Sequence, residues 1–206
     1  GLNAQWLKAG LESEETKKFA VSVLNHMREK LIGYQMEYGN LYGLEATPAE
    51  SATFRFARLD RERFSGIRTA GHEGDTPYYT NSTKLPADYD GTLQGALINQ
   101  DSLQPLYTTG TVFHVYMERE LEDWKKARDL LSSMITEHHI PCFTLSPVYT
   151  ICQTCGYLPG RQERCPKCNG AADVYSRIAG YYRPVHDWND GKAQEFRNRI
   201  MFRIGE

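Results

Sequence analysis

The sequence contains no apolar run of about 18 residues, the length a membrane-spanning helix needs. Its N-terminus lacks the basic and then apolar pattern of a secretory signal, so the expected location is the cytoplasm. Charge of one sign is also missing. The 24 Lys and Arg nearly balance the 26 Asp and Glu, for a net charge of -2. That balance removes the electrostatic footprint of a nucleic-acid or anionic-membrane partner, while a nucleotide, which needs only a local site, stays open. There is no internal repeat and no low-complexity segment. The chain has no initial methionine, and "GLNAQWLKAG" carries no cap or turn chemistry of a domain start, which leads us to expect a piece of a longer polypeptide.

What is present describes an ordinary globular chain: 206 residues, 40% apolar and 24% charged, enough for one sizeable core with or without a small satellite domain. Ser13 followed by Glu14 and Glu15 forms an N-cap with carboxylates in the first turn. Phe19, Ala20, Val23, Leu24, Met27, Leu31 and Tyr34 then recur at helical spacing until Gly39. "ATFRFARL" alternates Phe54 and Phe56 with smaller residues and reads as a strand after a Pro-containing turn. Residues 60–105, rich in Gly, Asp, Asn, Thr and Pro, read mostly as loop with apolar islands near Tyr78 and Leu97. "TGTVFHVYM" reads as a strand. The helix predicted next, over "ERELEDWKKARDLLSSMITEHHI", puts Leu121, Trp124, Ala127, Leu131, Met134 and Ile135 on one face, and "IPCFTLSPVYTI" follows as a strand. Strand, helix, strand is a βαβ crossover with parallel strands.

Of five cysteines, four form two C-x-x-C pairs, Cys152 with Cys155 and Cys165 with Cys168, separated by nine residues. Two residues between thiolates let both sulfurs face one ion at about 2.3 Å, and two such knuckles close a tetrahedral four-sulfur zinc shell without an open position. In a reducing compartment this spacing favours a metal over two disulfides or redox exchange. An iron site has the same softness and geometry. The expected work of the metal is to fold a segment too small to hold itself together.

Twelve residues after Cys168 comes Gly180 in "SRIAGYYRPV". Taken alone, such a glycine marks a turn. A cysteine quartet followed by R-x-x-G-Y, here Arg177, Ile178, Ala179, Gly180 and Tyr181, resembles the C-terminal end of the anaerobic (class III) ribonucleotide reductases, which are glycyl radical enzymes. "LEATPAESATFRFARLD", "PYYTNSTKLP", "TGTVFHVYM" and the opening "GLNAQWLKAGLESEETKKFA" resemble the same family, so the likeness covers essentially all 206 residues.

That resemblance implies an α/β fold: residues 1–150 as the C-terminal part of a ten-stranded catalytic barrel, and 151–206 as a loop-rich zinc-binding and glycyl radical domain. It implies Gly180 as the radical store, installed by a radical SAM activating enzyme, with structural zinc on Cys152, Cys155, Cys165 and Cys168. It further implies ribonucleotide substrates and nucleotide effectors in the full-length protein, and a homodimer. The family's thiyl cysteine lies hundreds of residues upstream of the glycine, so this chain alone is expected to be inactive. A glycine radical can become planar between its amide nitrogen and carbonyl and delocalise into both, because no Cβ obstructs it.

Cys142 precedes Gly180 by only thirty-eight residues and matches no family motif. It reads as a small buried hydrophobe. By resemblance, Thr47, Ala49 and Ser51 of "TPAES" help hold substrate phosphates, with a Pro turn and hydroxyl cap as the plain alternative and Glu50 expected to turn away. Asn81 and Ser82 read as loop residues rather than substrate contacts. His72, His114, His138, His139 and His186 show no ligand spacing and read as surface or core residues. The competing reading of the whole chain is a binding module, an α/β domain with a zinc-ribbon tail on which Gly180 is only a turn.

Overall fold

The computed structural model describes residues 7–71 and 74–204, which form a mixed α/β chain. Helix α1 spans Glu14–Tyr38. Ser13 Oγ accepts from the Thr16 amide at 3.3 Å, and Gly39, at φ 70°, closes the helix in the left-handed region. Ala20 and Leu24 join Leu44, Leu103 and Tyr107 in one core cluster, with Val21 and Leu31 packed against it, whereas Met27 and Tyr34 of the predicted apolar face are exposed.

Residues Ala52–Arg63 form helix α2, not the strand read from alternating phenylalanines. Phe56 is exposed, and the face that packs is Thr53 and Ala57, four apart and both small. Beside that slim face, the late helix α5 (Asp190–Asn198) comes so close that a Cβ on Gly191 would stand 2.6 Å from the Phe54 Cβ. The segment 60–105 is also more regular than its composition predicts. Helix α3, Leu93–Asp101, is capped by Thr92 Oγ1 accepting from the Gly95 amide at 3.0 Å, and a 3-10 turn follows at Gln104–Leu106. Apolar Ala96 and Leu97 are buried next to polar Asn99 and Gln100, so no amphipathic period announces α3.

Strand β1, Phe113–Met117, pairs in parallel with β2, Phe143–Pro147, with Phe113 opposite Phe143, and helix α4, Trp124–Glu137, makes the crossover as predicted. The helix is shorter than expected because Asp123 caps it, its carboxylate accepting from the Lys125 amide at 2.8 Å. Trp124 and Ile135, placed on its inner face by spacing, are both 67% exposed, and Met134 is the buried contact. Phe113, Val115 and Met117 point to the layer of α3 and α4, where they join Leu97, Met134 and Ile140. His114 and Tyr116 therefore take the opposite face of β1.

The predicted strand at residues 140–151 breaks at buried Val148. β2 stops at Pro147, and β3, Tyr149–Cys152, belongs to a second sheet. That sheet is antiparallel, in the order β4-β3-β5-β6, with β4 Gly156–Pro159, β5 Ala172–Arg177 and β6 Tyr182–Pro184, so the cysteine segment holds more sheet than its composition suggests. Tyr149 stacks on Tyr175 at 5.3 Å and 4°, with Tyr157 and Tyr182 beside it. Cys142 is exposed, contrary to its expected burial. It lies just outside β2, and its carbonyl accepts from the Phe113 amide at 2.8 Å while its side chain faces solvent.

Candidate functional site

The second sheet presents two loops. In the first, the turn from β3 to β4 carries Cys152 and Cys155, and the connection to β5 carries Cys165 and Cys168. All four sulfurs lie within 4.8 Å of one another and none is in a disulfide. Cys152 Sγ and Cys168 Sγ are 3.6 Å apart. A four-sulfur tetrahedron with bonds of about 2.3 Å has edges of about 3.8 Å, so the quartet could hold a metal ion with little adjustment. Each knuckle turns through the left-handed region just after its second cysteine, Gly156 at φ 76° and Asn169 at φ 57°. Without a cation the thiols are unequal. The Cys168 and Lys167 amides hold Cys165 down to about 6, while hydrogen bonding to Cys168, burial and neighbouring sulfurs push Cys155 up to about 12. Such unequal thiols are what a shared positive charge would level.

The second loop joins β5 to β6 and carries Gly180 at its exposed tip. Ile178 N–H donates to the Tyr181 carbonyl at 3.0 Å, and Arg177 Nη1 donates to the Gly180 carbonyl at 2.6 Å. Gly180 is not among the glycines with positive φ, and a Cβ built on it would meet nothing within 4 Å. Neither a turn nor a close approach requires glycine there.

Arg177 continues inward. Its Nε donates to Ser146 Oγ at 2.9 Å, Ser146 Oγ lies 2.9 Å from Thr144 Oγ1, and Thr144 Oγ1 lies 2.8 Å from His114 Nδ1. A guanidinium only donates, so Ser146 Oγ accepts from Arg177, while the Ser146–Thr144 and Thr144–His114 bonds can run in either direction. Beneath Arg177, Lys192 (2.6 Å) and Arg199 (3.1 Å) both pair with Glu195. Burial would raise the Glu195 carboxyl, but the two cations outweigh it and hold it below the usual carboxylate range. Arg199 also lies 3.8 Å over the Tyr116 ring and donates to the Arg177 carbonyl.

The "TPAES" segment arrives from the other side. Tyr181 Oη donates to Glu50 Oε2 at 3.0 Å, and Asn189 Nδ2 donates to the Glu50 carbonyl at 3.3 Å. Glu50 therefore faces the Gly180 hairpin. Thr47 Oγ1 donates to Glu45 at 3.3 Å, Ala49 N–H to the Thr47 carbonyl at 2.9 Å, and Ser51, at the start of α2, makes no side-chain cap. The plain alternative of a hydroxyl cap at Ser51 is thus not realised. Ser82 takes φ 49° in a turn. Of the histidines, His114 is buried, His138 has a buried side chain, His139 and His186 are exposed, and His72 lies outside the described residues. Among the described residues the four cysteines are the group that could hold a metal ion. The Arg177–His114 chain escapes sequence reasoning, its members being spread from position 114 to 177 with the arginine of R-x-x-G-Y as their one signal. The Lys192–Glu195–Arg199 group does carry a signal, the i,i+3 and i,i+4 spacing of helical ion pairs.

Fold and site define a class, a mixed α/β chain with a four-cysteine cluster that could hold a metal and an adjoining glycine hairpin. The chain belongs to the anaerobic ribonucleoside-triphosphate reductase family, whose model matches residues 3–202. It is 24% identical over 97% of its length to the anaerobic ribonucleoside-triphosphate reductase of Haemophilus influenzae and 25% identical over 86% to that of enterobacteria phage T4. It spans 29% and 30% of those relatives. Among solved structures, it resembles an anaerobic ribonucleotide reductase with a TM-score of 0.74 at 22% identity, covering 92% of this chain and 29% of that one. The Thermotoga maritima anaerobic ribonucleotide reductase in complex with dATP and CTP gives a TM-score of 0.69 at 22% identity, over 89% and 29% of the two chains. These likenesses bear out the mixed α/β class and disfavour the binding-module reading.

Proposed function

We propose that the chain is the C-terminal portion of an anaerobic ribonucleotide reductase that converts ribonucleotides to deoxyribonucleotides by radical chemistry, with Gly180 as the radical store. The observation that carries this is negative in form: φ and space at Gly180 would both accept a side chain, so neither a turn nor a close approach accounts for the glycine, and the radical role supplies a reason for it. A radical SAM activating enzyme would take one hydrogen atom from the Gly180 Cα onto a deoxyadenosyl radical, leaving an unpaired electron shared between nitrogen and carbonyl. Arg177, donating to the carbonyl oxygen, would favour spin density placed there. Cys152, Cys155, Cys165 and Cys168 would hold a structural zinc, which supplies no open position for chemistry.

In this reading β1 and β2 are late strands of a ten-stranded barrel in residues 1–150, and 151–206 form the zinc and glycyl radical domain. Thr47, Ala49 and Ser51 lie just before α2, whose N-terminal dipole would favour substrate phosphates there. Glu50 belongs to the hairpin contact and leaves that face clear. The full-length protein would be a cytoplasmic homodimer answering to nucleotide effectors. Among the described residues no helix is long and apolar enough to cross a membrane.

The test is the electron paramagnetic resonance spectrum of the polypeptide that contains this chain, reduced with its activase and S-adenosylmethionine without oxygen. A doublet that collapses on glycine deuteration, is absent in Gly180→Ala, and gives way in air to cleavage at residue 180 is the expected result. A doublet that survives Gly180→Ala overturns the assignment.

A further inference from the structure

The Lys192, Glu195 and Arg199 side chains are withdrawn from water, with exposures of 3%, 15% and 2%. A buried ion group seldom stabilises a fold more than apolar residues of the same size, because desolvation offsets the attraction. The group is also lopsided. Lys192, at 2.6 Å, is enough to neutralise Glu195, which leaves the charge of Arg199 over. That second cation is placed where the Gly180 hairpin begins. Arg199 Nη1 donates to Ser176 Oγ and to the Arg177 carbonyl, both at 3.3 Å, and Ser176 is fully buried.

The Arg177 carbonyl and the Ile178 N–H belong to one peptide unit, which is planar and moves as a piece. Arg199 holds that plane at its oxygen. The Tyr181 carbonyl holds it at its nitrogen, accepting from Ile178 at 3.0 Å and closing the turn that contains Gly180. The guanidinium is itself fixed. Its Nη2 is tied to Glu195 at 3.1 Å, and it lies over the Tyr116 ring at 3.8 Å, with the Trp188 and Phe196 rings at 5.8 and 5.6 Å. A flat fork can serve three partners in this way while lying on a ring, whereas an ammonium is a point charge on a flexible stem. At the other end of α5, Asn189 donates to the Glu50 carbonyl while Tyr181 donates to the Glu50 carboxylate, so the turn is braced on both flanks.

We propose that Arg199 is a positioning residue for the radical at Gly180, acting through the 177–178 peptide plane; this rests on the role given to Gly180 under the proposed function. The radical spreads into both amides that flank its Cα only as far as their planes are coplanar, so the posture of the turn sets how much unpaired spin stays on Cα. Arg199 fixes that posture from beneath, while Arg177 acts on the Gly180 carbonyl from the side. Loss of the fork changes the character of the radical before it changes whether one forms.

The experiment uses the polypeptide that contains this chain, unsubstituted and as Arg199→Lys and Arg199→Met. Both substitutions leave Glu195 its Lys192 partner, so neither strands a buried charge. Before activation, hydrogen exchange read by mass spectrometry should quicken about tenfold or more across residues 176–182 in Arg199→Met, while α1 and α4 keep their rates. After treatment with the activase and S-adenosylmethionine, both variants should give a glycine doublet whose splitting by the remaining Cα hydrogen differs from that of the unsubstituted protein. Arg199→Lys should fall between the other two in both readouts. Unchanged exchange at 176–182 overturns the proposal, and so does an acceleration shared equally by α1 and α4, which would make Arg199 a general stabiliser. An unchanged splitting in a loosened hairpin overturns it too. A doublet that survives Gly180→Ala overturns the radical role beneath the proposal, and is told apart because the exchange measurement involves no radical.

Discussion

The two loops of the second sheet use glycine for opposite reasons. Gly156 sits at φ 76° where the first knuckle reverses, a conformation that costs an L-residue about 1–2 kcal/mol. Gly180 sits at a hairpin tip with φ outside that region and open space where a Cβ would be. The first glycine is explained by geometry and says nothing about chemistry. The second is not required by geometry and is the one to which the radical role is proposed, a distinction that composition cannot draw because both read as turn residues.

The comparison breaks most visibly when the metal is removed. Structural zinc contributes on the order of 10 kcal/mol to small four-ligand sites. Chelation, or Cys152→Ser with Cys165→Ser, should take metal content from about one ion per chain to none. Amide exchange should then show β3 and β4 losing protection before α1 does. Equal loss in α1 would mean the module is not a separate layer of stability.

Next in size is the pair Gly156→Ala and Gly180→Ala. The first should destabilise the chain by about 1–2 kcal/mol in chemical denaturation. The second should leave stability unchanged or raise it by up to about 1 kcal/mol, as alanine restricts the unfolded chain at a compatible position. A large loss for Gly180→Ala would show that the hairpin needs glycine structurally.

The last is the effect of acid on what stands behind the Gly180 loop. His114 is held near 3 against an ordinary 6.5, so its contribution is complete above 6.5 and is lost as pH falls from there toward 3. The slope is at most about 1.4 kcal/mol per pH unit for one proton. Lys84, Arg177 and Arg199 all press in the same direction. His114→Gln should flatten the slope in acid denaturation curves of the metal-loaded chain, and an unchanged slope would place the proton elsewhere.

What is legible in the sequence is what neighbours in sequence determine. Two C-x-x-C pairs fix sulfur geometry within seventeen residues, and the parallel crossover follows from the order strand, helix, strand. α2 misleads because its packed face is made of small residues, Thr53 and Ala57, while its conspicuous phenylalanines suggest a strand's alternation. α3 goes unseen because burial on several sides erases periodicity, its Gln100 amide instead donating to the Thr83 carbonyl at 2.9 Å. The cavity lined by Asn81, Lys84 and His114 is illegible for another reason: its walls come from separate elements, and only the fold brings them to one space.

β3 runs across position 150, with Tyr149 stacked on Tyr175 and Thr150 Oγ1 donating to the Gly160 carbonyl at 2.8 Å. Anyone wishing to express the cysteine module by itself would therefore cut into an inner strand of its sheet by starting at residue 151. Starting instead before Phe143 keeps the strand and Ser146, but leaves Tyr181 and Asn189 facing water where Glu50 had met them. A shortened piece of this kind should keep its metal and lose the fixed posture of its hairpin.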